Sequence, residues 1–442
     1  MASSVNRRTF LKRTATLGTM ALTGGLLTRS ASAASAAPRR GANEEIRVAV
    51  VGIRGQGRAH IRAHARAENV RVAALCDIDE RLYANGIQNA AEHDPNAPAP
   101  RTVYDVRRLL DADDIDCLSI VSPNHWHALS AIWACQAGKD VFVEKPCSHN
   151  IFEGRKLVEA AAKYNRVVQH GTQNRSQPTV MEAMKLLQEG VIGEVYMARA
   201  LCFKRRDSIG IEQDGQVPEG VHYDLWLGPA PQRPFNPNRF HYDWHWHWDY
   251  GNGDIGNQGV HQMDIAQWGL GKDFVLPVKT SSMGGRFTYE DQGITPNTQI
   301  ATFQYDDGKM LVFEVRGRAT HDEWGVGVGN LFYGSKGYMA IRGRSYETVV
   351  DGEPGPSSTG NQPHTIFTNF HDVVRSRKVE DLESPILEGH NSSALCHLAN
   401  LAYRLDRTLR FDPTAERFVN DNEANTMLTR DYRAPYVVPA QV

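Results

Sequence analysis

From residue 46 the apolar positions fall into short continuous runs separated by stretches with helical spacing. Ile46 to Val51 is apolar except for Arg47 and stops at Gly52. Val70 to Leu75, Ile115 to Val121, Asp140 to Val143 and Arg166 to Gln169 repeat that strand signature. Between them, Ala128 to Ala137, ended by Gly138, and Phe152 to Tyr164 have the length of helices. Continuous apolar strands alternating with helices predict a parallel sheet covered on both faces.

Beyond about residue 170 the period changes. A helix over Val180 to Glu189 leads into Val195 to Phe203, where apolar and polar residues alternate. Thr298–Tyr305, Met310–Arg316, Gly329–Tyr333 and Tyr338–Arg342 alternate in the same way, joined by turns such as Asp306-Asp307-Gly308. Alternation predicts an antiparallel sheet with one open face. A Pro-, Asn- and aromatic-rich loop spans residues 207–253, and a last helix covers Ser392 to Leu405. The prediction is an α/β chain: a first domain over residues 45–168, then an α+β domain over 169–442 with a large open, mostly antiparallel sheet.

Composition narrows the class. The chain has 442 residues, 41 % hydrophobic, with a formal net charge of −2. Its apolar runs are too short for a polytopic membrane protein, and near-neutrality argues against a nucleic-acid partner. The first residues distort the charge. Asn6-Arg7-Arg8-Thr9-Phe10-Leu11-Lys12, an uncharged Thr- and Gly-rich run over Ala15–Leu27, and the small-residue site Ser30-Ala31-Ser32-Ala33 predict a twin-arginine export signal over residues 1–33. A flexible lead-in would then cover residues 34–44. Cleavage after Ala33 would remove five basic residues and no acidic one, taking −2 to −7. The expected partner is the twin-arginine translocation machinery, the expected destination the periplasm or beyond, with no stable membrane insertion. Six scattered cysteines without a C-x-x-C read as buried thiols rather than a disulfide or zinc framework.

The turn after the first strand reads Gly52-Ile53-Arg54-Gly55-Gln56-Gly57, with Arg54 in the middle glycine place of G-x-G-x-x-G. Glycine permits a tight turn, and a helix N-terminus offers N–H groups to a pyrophosphate. Twenty residues after Gly57, Asp77 ends the second strand, where a carboxylate bonds ribose hydroxyls and repels a 2′-phosphate. NAD is therefore favoured over NADP, a preference that Arg54 would soften by reaching the phosphate.

Two further segments sit at the carboxyl ends of parallel strands: Ser122-Pro123-Asn124-His125-Trp126-His127 and Val143-Glu144-Lys145-Pro146. With the glycine turn, they resemble the glucose-fructose oxidoreductase/inositol dehydrogenase/MocA family, whose signature is a TPN-x-x-H segment followed by E-K-P. The resemblance covers nearly all of the chain after the export signal. It implies a Rossmann domain holding NAD through the turn, Asp77, Ser122, Pro123, Asn124, His127, Glu144 and Gln173. It implies that Lys145 contacts the substrate hydroxyl and the nicotinamide ribose. A base or relay is also what hydride loss from a carbinol requires, and a partly desolvated lysine can share that role. The family's D-x-G-x-H stretch corresponds to Asn257-Gln258-Gly259-Val260-His261, with asparagine in the aspartate place. His261 keeps its spacing as a general acid/base. Asn257 can orient substrate or imidazole but cannot accept a proton, so Asp264 or Asp254 is a candidate for the missing carboxylate. The family also points the Gln173-Asn174-Arg175 cluster at cofactor and substrate; for Arg175 a surface salt bridge is an equal reading.

His241-Tyr242-Asp243-Trp244-His245-Trp246-His247-Trp248-Asp249-Tyr250 is the chain's most unusual segment. If extended, its alternate residues lie about 7 Å apart, too wide for neighbouring ligands of one metal ion, so no metal is expected. It is either a structural loop or a carbohydrate platform, with Trp244 and Tyr250 stacking on a sugar. The expected activity is NAD(P)-dependent hydride transfer from a sugar, glycoside or cyclic polyol to tightly held cofactor, in a homodimer or homotetramer. Two alternatives stand: a glycosidase that oxidises C3 transiently, eliminates the aglycone and returns the hydride, and an exported carbohydrate-binding protein without catalysis. The family includes such hydrolases, which often depart from the E-K-P that this chain keeps.

Overall fold

The structure, a computed structural model, describes residues 44–442. The export signal predicted over residues 1–33 and nearly all of the lead-in lie outside the described residues.

Six parallel strands form the first sheet: β1 (Ile46–Val51), β2 (Val70–Cys76), β3 (Arg101–Val103), β4 (Cys117–Ile120), β5 (Asp140–Val143) and β6 (Val168–His170). Their order is β3-β2-β1-β4-β5-β6. It reverses between β1 and β4, and that switch point opens a crevice at the strands' carboxyl ends. Helices α1 (Gln56–Ala65), α2 (Tyr83–Ala91), α3 (Asn124–Gln136) and α4 (Ile151–Lys163) connect the strands. Helix α3 begins four residues before its predicted start, directly after Pro123. The sequence hides this because His125 and His127 look like loop residues, whereas both are buried with Trp126.

The second sheet has ten strands: β7 (Val195–Cys202), β8 (Lys279–Gly285), β9 (Thr298–Gln304), β10 (Met310–Arg316), β11 (Val328–Gly334), β12 (Gly337–Arg342), β13 (Ser345–Val350), β14 (Glu353–Thr359), β15 (Leu409–Asp412) and β16 (Arg417–Phe418). Only β7 and β10 run parallel; the remaining neighbours pair antiparallel. Helices α5 (Pro178–Gln188) and α6 (Val260–Gly269) cover one face, over Phe303, Phe313 and Phe332. The other face stays open and exposes Ile300 and Met310.

Two later helices complicate the boundary expected near residue 168. Helix α7 (Ile366–Ser376) returns to the first sheet, where Ile366, Phe370 and Val373 pack on Ile46, Val48 and Phe142. Near the chain end, Tyr436 sets its ring 5.4 Å from that of Trp126. The first domain is thus completed by residues from the second. Helix α8 (Ile386–Arg404) starts six residues before its predicted start. Its first turns carry Glu388, His390, Asn391 and Ser392, all buried. Polar residues that serve internal bonds defeat an amphipathic reading.

Candidate active site

Residues from both domains line a cavity of about 480 Å³ at the carboxyl edge of the parallel sheet. At one end is the glycine turn. Gly52 has φ +86°, and a Cβ there would lie 2.7 Å from the Val121 carbonyl oxygen. A Cβ on Gly57 would lie 2.0 Å from the Gly52 carbonyl oxygen. Gly57 therefore shapes the turn from behind, while Gly52, Arg54, Gly55 and Gln56 face the cavity. Gly55, at the N-cap of α1, makes no side-chain cap, and the first turn holds no acidic residue. No side chain caps the start of this ten-residue helix, although the Gly57 and Arg58 N–H groups donate to the Arg54 and Gly55 carbonyls, and such a helix start suits a pyrophosphate.

Asp77 stands at the end of β2 and takes part in the turn itself. Its Oδ2 accepts the Ile53 N–H at 2.9 Å, and its Oδ1 accepts the Asp79 N–H at 3.0 Å. Burial pushes its carboxyl up to about 6 against the pull of these bonds. A carboxylate accepts about four bonds, so capacity remains for ribose hydroxyls. The turn, the uncapped helix and Asp77 together fit a dinucleotide.

The opposite end carries the proton chemistry. Lys145 follows β5, and its Nζ donates to the Asn257 carbonyl at 2.8 Å. Burial lowers its pKa, partly offset by Glu144 and Asp254. Glu144 accepts from the Lys145 main-chain N–H at 3.1 Å, and its Oε1 lies 3.0 Å from His60 Nε2. Burial raises the Glu144 carboxyl, but the hydrogen bond to His60 and the neighbouring Lys145 outweigh it, leaving about 2. His127 bridges the two strand-end segments: Nδ1 lies 2.7 Å from the Pro146 carbonyl and Nε2 2.6 Å from that of Ser122. Ser122, Pro123, Asn124 and Gln173 also line the cavity.

His261 lies in the first turn of α6, after a π-helical turn over Ile255–Gly259. That wider turn turns the Asn257 carbonyl to Lys145; such turns recur at functional sites. Gly259 is required there, because a Cβ would meet the Phe313 ring at 2.5 Å. His261 is 6 % exposed, and its Nδ1 has no hydrogen-bond partner among the described residues. Burial, then the neighbouring Lys145, hold it down to about 3, so the imidazole is neutral at ordinary pH.

Several expected site residues lie elsewhere. Asp264 and Arg175 are buried together: Arg175 Nε lies 2.9 Å from the Asp264 carboxylate, Nη1 2.8 Å from Glu388 and Nη2 2.7 Å from Asp273. With Arg175 3 % exposed, this is an internal ion cluster, neither a surface salt bridge nor a substrate contact. Asp254 is held by Arg206 at 2.7 Å and does not reach His261. Asn174 does not line the cavity. The Asn257 carboxamide donates to the Tyr242 hydroxyl at 3.3 Å, so the main-chain oxygen, not the side chain, positions Lys145.

The aromatic segment divides between its two readings. It is not extended, because residues Asp243–Trp246 form a 3-10 turn. Tyr242, Trp244 and His245 line the cavity, with the His245 ring stacked on Trp244 at 3.6 Å. Tyr250 is fully buried in a cluster with Tyr223, Trp226 and Phe240, and is a core residue rather than a sugar platform. The sequence reading also missed the stretch before it. His222 donates its N–H to the Ile78 carbonyl at 2.8 Å and stacks on Tyr104 at 3.9 Å. The Glu80 main-chain N–H donates to the Gly220 carbonyl at 2.9 Å. These bonds clamp the second domain over the Asp77 end, where Tyr104, Leu225, Trp226 and His241 complete the wall. Only the segment's unusual length and aromatic content signalled it.

A doubly wound parallel sheet with a glycine turn, joined at one cavity to a second α/β domain carrying lysine and histidine, defines a two-domain dinucleotide-binding protein. Residues 46–172 match the oxidoreductase family's NAD-binding Rossmann fold, and residues 179–438 match its C-terminal alpha/beta domain. The chain belongs to the Gfo/Idh/MocA oxidoreductase family. It is 28 % identical over 217 residues to a glycosyl hydrolase family 109 protein of Shewanella sp. strain ANA-3, covering 45 % of this chain and 46 % of that protein. An alpha-N-acetylgalactosaminidase of Shewanella oneidensis is 27 % identical over the same length and share. The chain spans about half the length of the curated relatives it matches. Among solved structures, a levoglucosan dehydrogenase in complex with NADH and levoglucosan superposes with TM-score 0.64 at 16 % identity, over 83 % of this chain and 99 % of that one. An aldose-aldose oxidoreductase of Caulobacter crescentus superposes with TM-score 0.63 at 17 % identity, over 83 % and 100 %. These likenesses concern the fold.

Proposed function

We propose that the protein is an NAD-dependent oxidoreductase acting on a hydroxyl of a sugar, glycoside or cyclic polyol. One observation carries the reading: Lys145, ionised Glu144 and neutral His261 share a cavity with the glycine turn and Asp77. Bound NAD supplies a hydride acceptor at its nicotinamide ring. Lys145, pinned by the Asn257 carbonyl, bonds the reacting hydroxyl and takes its proton as the neutral amine that burial favours. Neutral His261 turns one ring nitrogen to the same hydroxyl as acceptor or donor. Trp244 and Tyr242 offer flat surface to a pyranose or cyclitol face. The clamp around Tyr104 and His222 supports a cofactor that stays bound through turnover.

The test is to denature the purified protein, identify any released nucleotide, and follow absorbance of NADH with glucose, myo-inositol and methyl glucosides. NAD release with NADH formation supports the reading; a protein that carries and binds no nucleotide overturns it. A second reading is favoured by the similarity to glycosyl hydrolase family 109 proteins: transient oxidation followed by elimination of an aglycone. It predicts release of p-nitrophenol from an N-acetylgalactosaminide without net NADH, and stoichiometric NADH excludes it.

We further infer export by the twin-arginine route, supported by Arg7-Arg8 and the Ser30–Ala33 site. Replacing Arg7-Arg8 by Lys-Lys is expected to abolish secretion. The open sheet face supports a homo-oligomer, checked by light scattering.

A further inference from the structure

An unbroken line of hydrogen-bonding side chains runs through the first domain from Glu144 towards α7. His60 Nε2 lies 3.0 Å from Glu144 Oε1, and His60 Nδ1 lies 2.8 Å from Ser119 Oγ. Ser119 Oγ lies 3.0 Å from His64 Nε2, and His64 Nδ1 lies 3.0 Å from His371 Nε2. The five residues come from four elements: the end of β5, α1 twice, β4 and α7. None is more than 6 % exposed. Such a line is not what packing alone selects, since buried polar groups need partners and cost stability when any bond fails.

The donors can all point one way. His371 Nε2–H donates to His64 Nδ1, His64 Nε2–H to Ser119 Oγ, Ser119 O–H to His60 Nδ1, and His60 Nε2–H to Glu144. Each neutral imidazole then donates once and accepts once, and the hydroxyl does both. Reversing every bond gives an equally complete set pointing outward. In the inward set a proton entering at His371 releases one to Glu144 and leaves every bond reversed, and in the outward set a proton on Glu144 releases one at His371 and restores the first arrangement. Aromatic rings sheathe the line: His60 meets Phe142 at 5.1 Å and Phe367 at 4.9 Å, and His64 meets Phe367 at 5.3 Å. The outer end, His371, faces Phe370 and the Arg375 guanidinium, and exposed Asp372 follows it on α7.

We propose that Glu144, His60, Ser119, His64 and His371 form a proton relay between the catalytic cavity and α7. It rests on the redox reading above. Oxidation of a carbinol breaks C–H, both electrons leaving with the hydride to the nicotinamide, and breaks O–H, whose electron pair completes the C=O bond. With the outward set in place, the proton released goes to neutral Lys145, across the cavity to the Glu144 carboxylate and along the relay to His371, leaving the inward set behind. Reduction runs the same path inward. Clamped from above by the second domain, the cavity gains a proton exit that does not pass the bound cofactor. His64 and His371 are held neutral by burial, as the relay requires.

Two measurements test it. Imidazole 15N NMR of the resting protein is expected to show His60, His64 and His371 in one common tautomer, all Nε2–H in the inward set or all Nδ1–H in the outward set, with the His60 and His64 signals displaced in Ser119→Ala. A mixture of Nε2–H and Nδ1–H tautomers among the three, or signals unmoved in Ser119→Ala, overturns the relay. In turnover with myo-inositol or methyl β-D-glucopyranoside, Ser119→Ala and His371→Gln are each expected to lower kcat at least about tenfold at unchanged KM, and to raise the solvent deuterium isotope effect from about 1 to above about 2. Wild-type kcat and isotope effect in both variants overturn it. An enzyme silent towards both alcohols counts against the redox reading, while the NMR result still decides the relay.

Discussion

Replacing Arg175 by Met separates a structural role from a substrate contact. The guanidinium bonds Asp264, Glu388 and Asp273 at 2.9, 2.8 and 2.7 Å and lies 5.0 Å over the Trp268 ring. Methionine keeps much of the volume and strands three carboxylates, Asp264 and Glu388 among the most deeply buried. Removing one partner of a buried ion pair costs about 3–5 kcal/mol, because the remaining charge loses its compensation. For a chain of this length, an unfolding entropy of about 2 cal/mol/K per residue turns that into a fall in Tm of about 4–6 °C. Burial already raises the Asp264 carboxyl despite Arg175. Adding Asp264→Asn removes one stranded charge and is expected to restore about 1–3 kcal/mol. The assay is differential scanning calorimetry of nucleotide-loaded protein, with KM measured in parallel. A Tm within about 1 °C of wild type, together with a KM raised about tenfold or more, would refute the reasoning and return Arg175 to the substrate.

Lys145→Met is expected to lower kcat by about 10²–10⁴ while nucleotide still co-purifies, read by stopped-flow absorbance and by analysis of the denatured protein. Asp77→Asn keeps one acceptor oxygen and loses the charge that repels a 2′-phosphate. Calorimetry should show NAD binding weakened by about 10–100-fold and the preference over NADP narrowed. Glu416 takes hydrogen bonds from His390 and Arg155, which outweigh the effect of burial and hold its carboxyl down to about 2. A depressed carboxylate contributes stability that is present above its unfolded pKa and lost as pH falls through the folded one. Urea melts of Glu416→Gln should therefore show a loss of up to about 3 kcal/mol at pH 7, shrinking between about pH 4.5 and pH 2. A loss unchanged over that window would rule the linkage out.

Local signals in the sequence located the parallel strands, the glycine turn and the E-K-P segment, because each depends on residues within one strand–turn–helix unit. Long-range partnerships were not legible in this way. Arg175 and Glu388 are 213 residues apart, and nothing near Arg175 announces three carboxylates. Spacing placed Asp264 one turn from His261 on α6, but the tertiary fold gave that carboxylate to Arg175. Tyr250 failed for a related reason: aromatic content marks both cores and sugar platforms, and only the packing of Trp226 and Phe240 against it decides between them. Helix α7 carries its stripe of Ile366, Phe370, Val373 and Val374 within one segment, and only its packing on strands from the other end of the chain is a long-range fact.

The asparagine at 257 has a narrower consequence than its place in the motif suggests. An aspartate there would hold the His261 imidazole and let it store the hydroxyl proton as imidazolium. In this chain the two other carboxylates within reach by sequence are committed, Asp264 to Arg175 and Asp254 to Arg206. His261 therefore keeps its Nδ1 without a partner among the described residues and stays neutral beside Lys145. Lys145 loses nothing by the change, since it is positioned by a main-chain carbonyl that any residue at 257 supplies. The burden of taking the proton thus shifts to Lys145 and to Glu144 next to it. Asn257→Asp is accordingly expected to raise the pKa of His261 and move the acid limb of the pH–rate profile to higher pH, with Lys145 still indispensable. A profile identical to wild type would show that residue 257 acts only through its backbone.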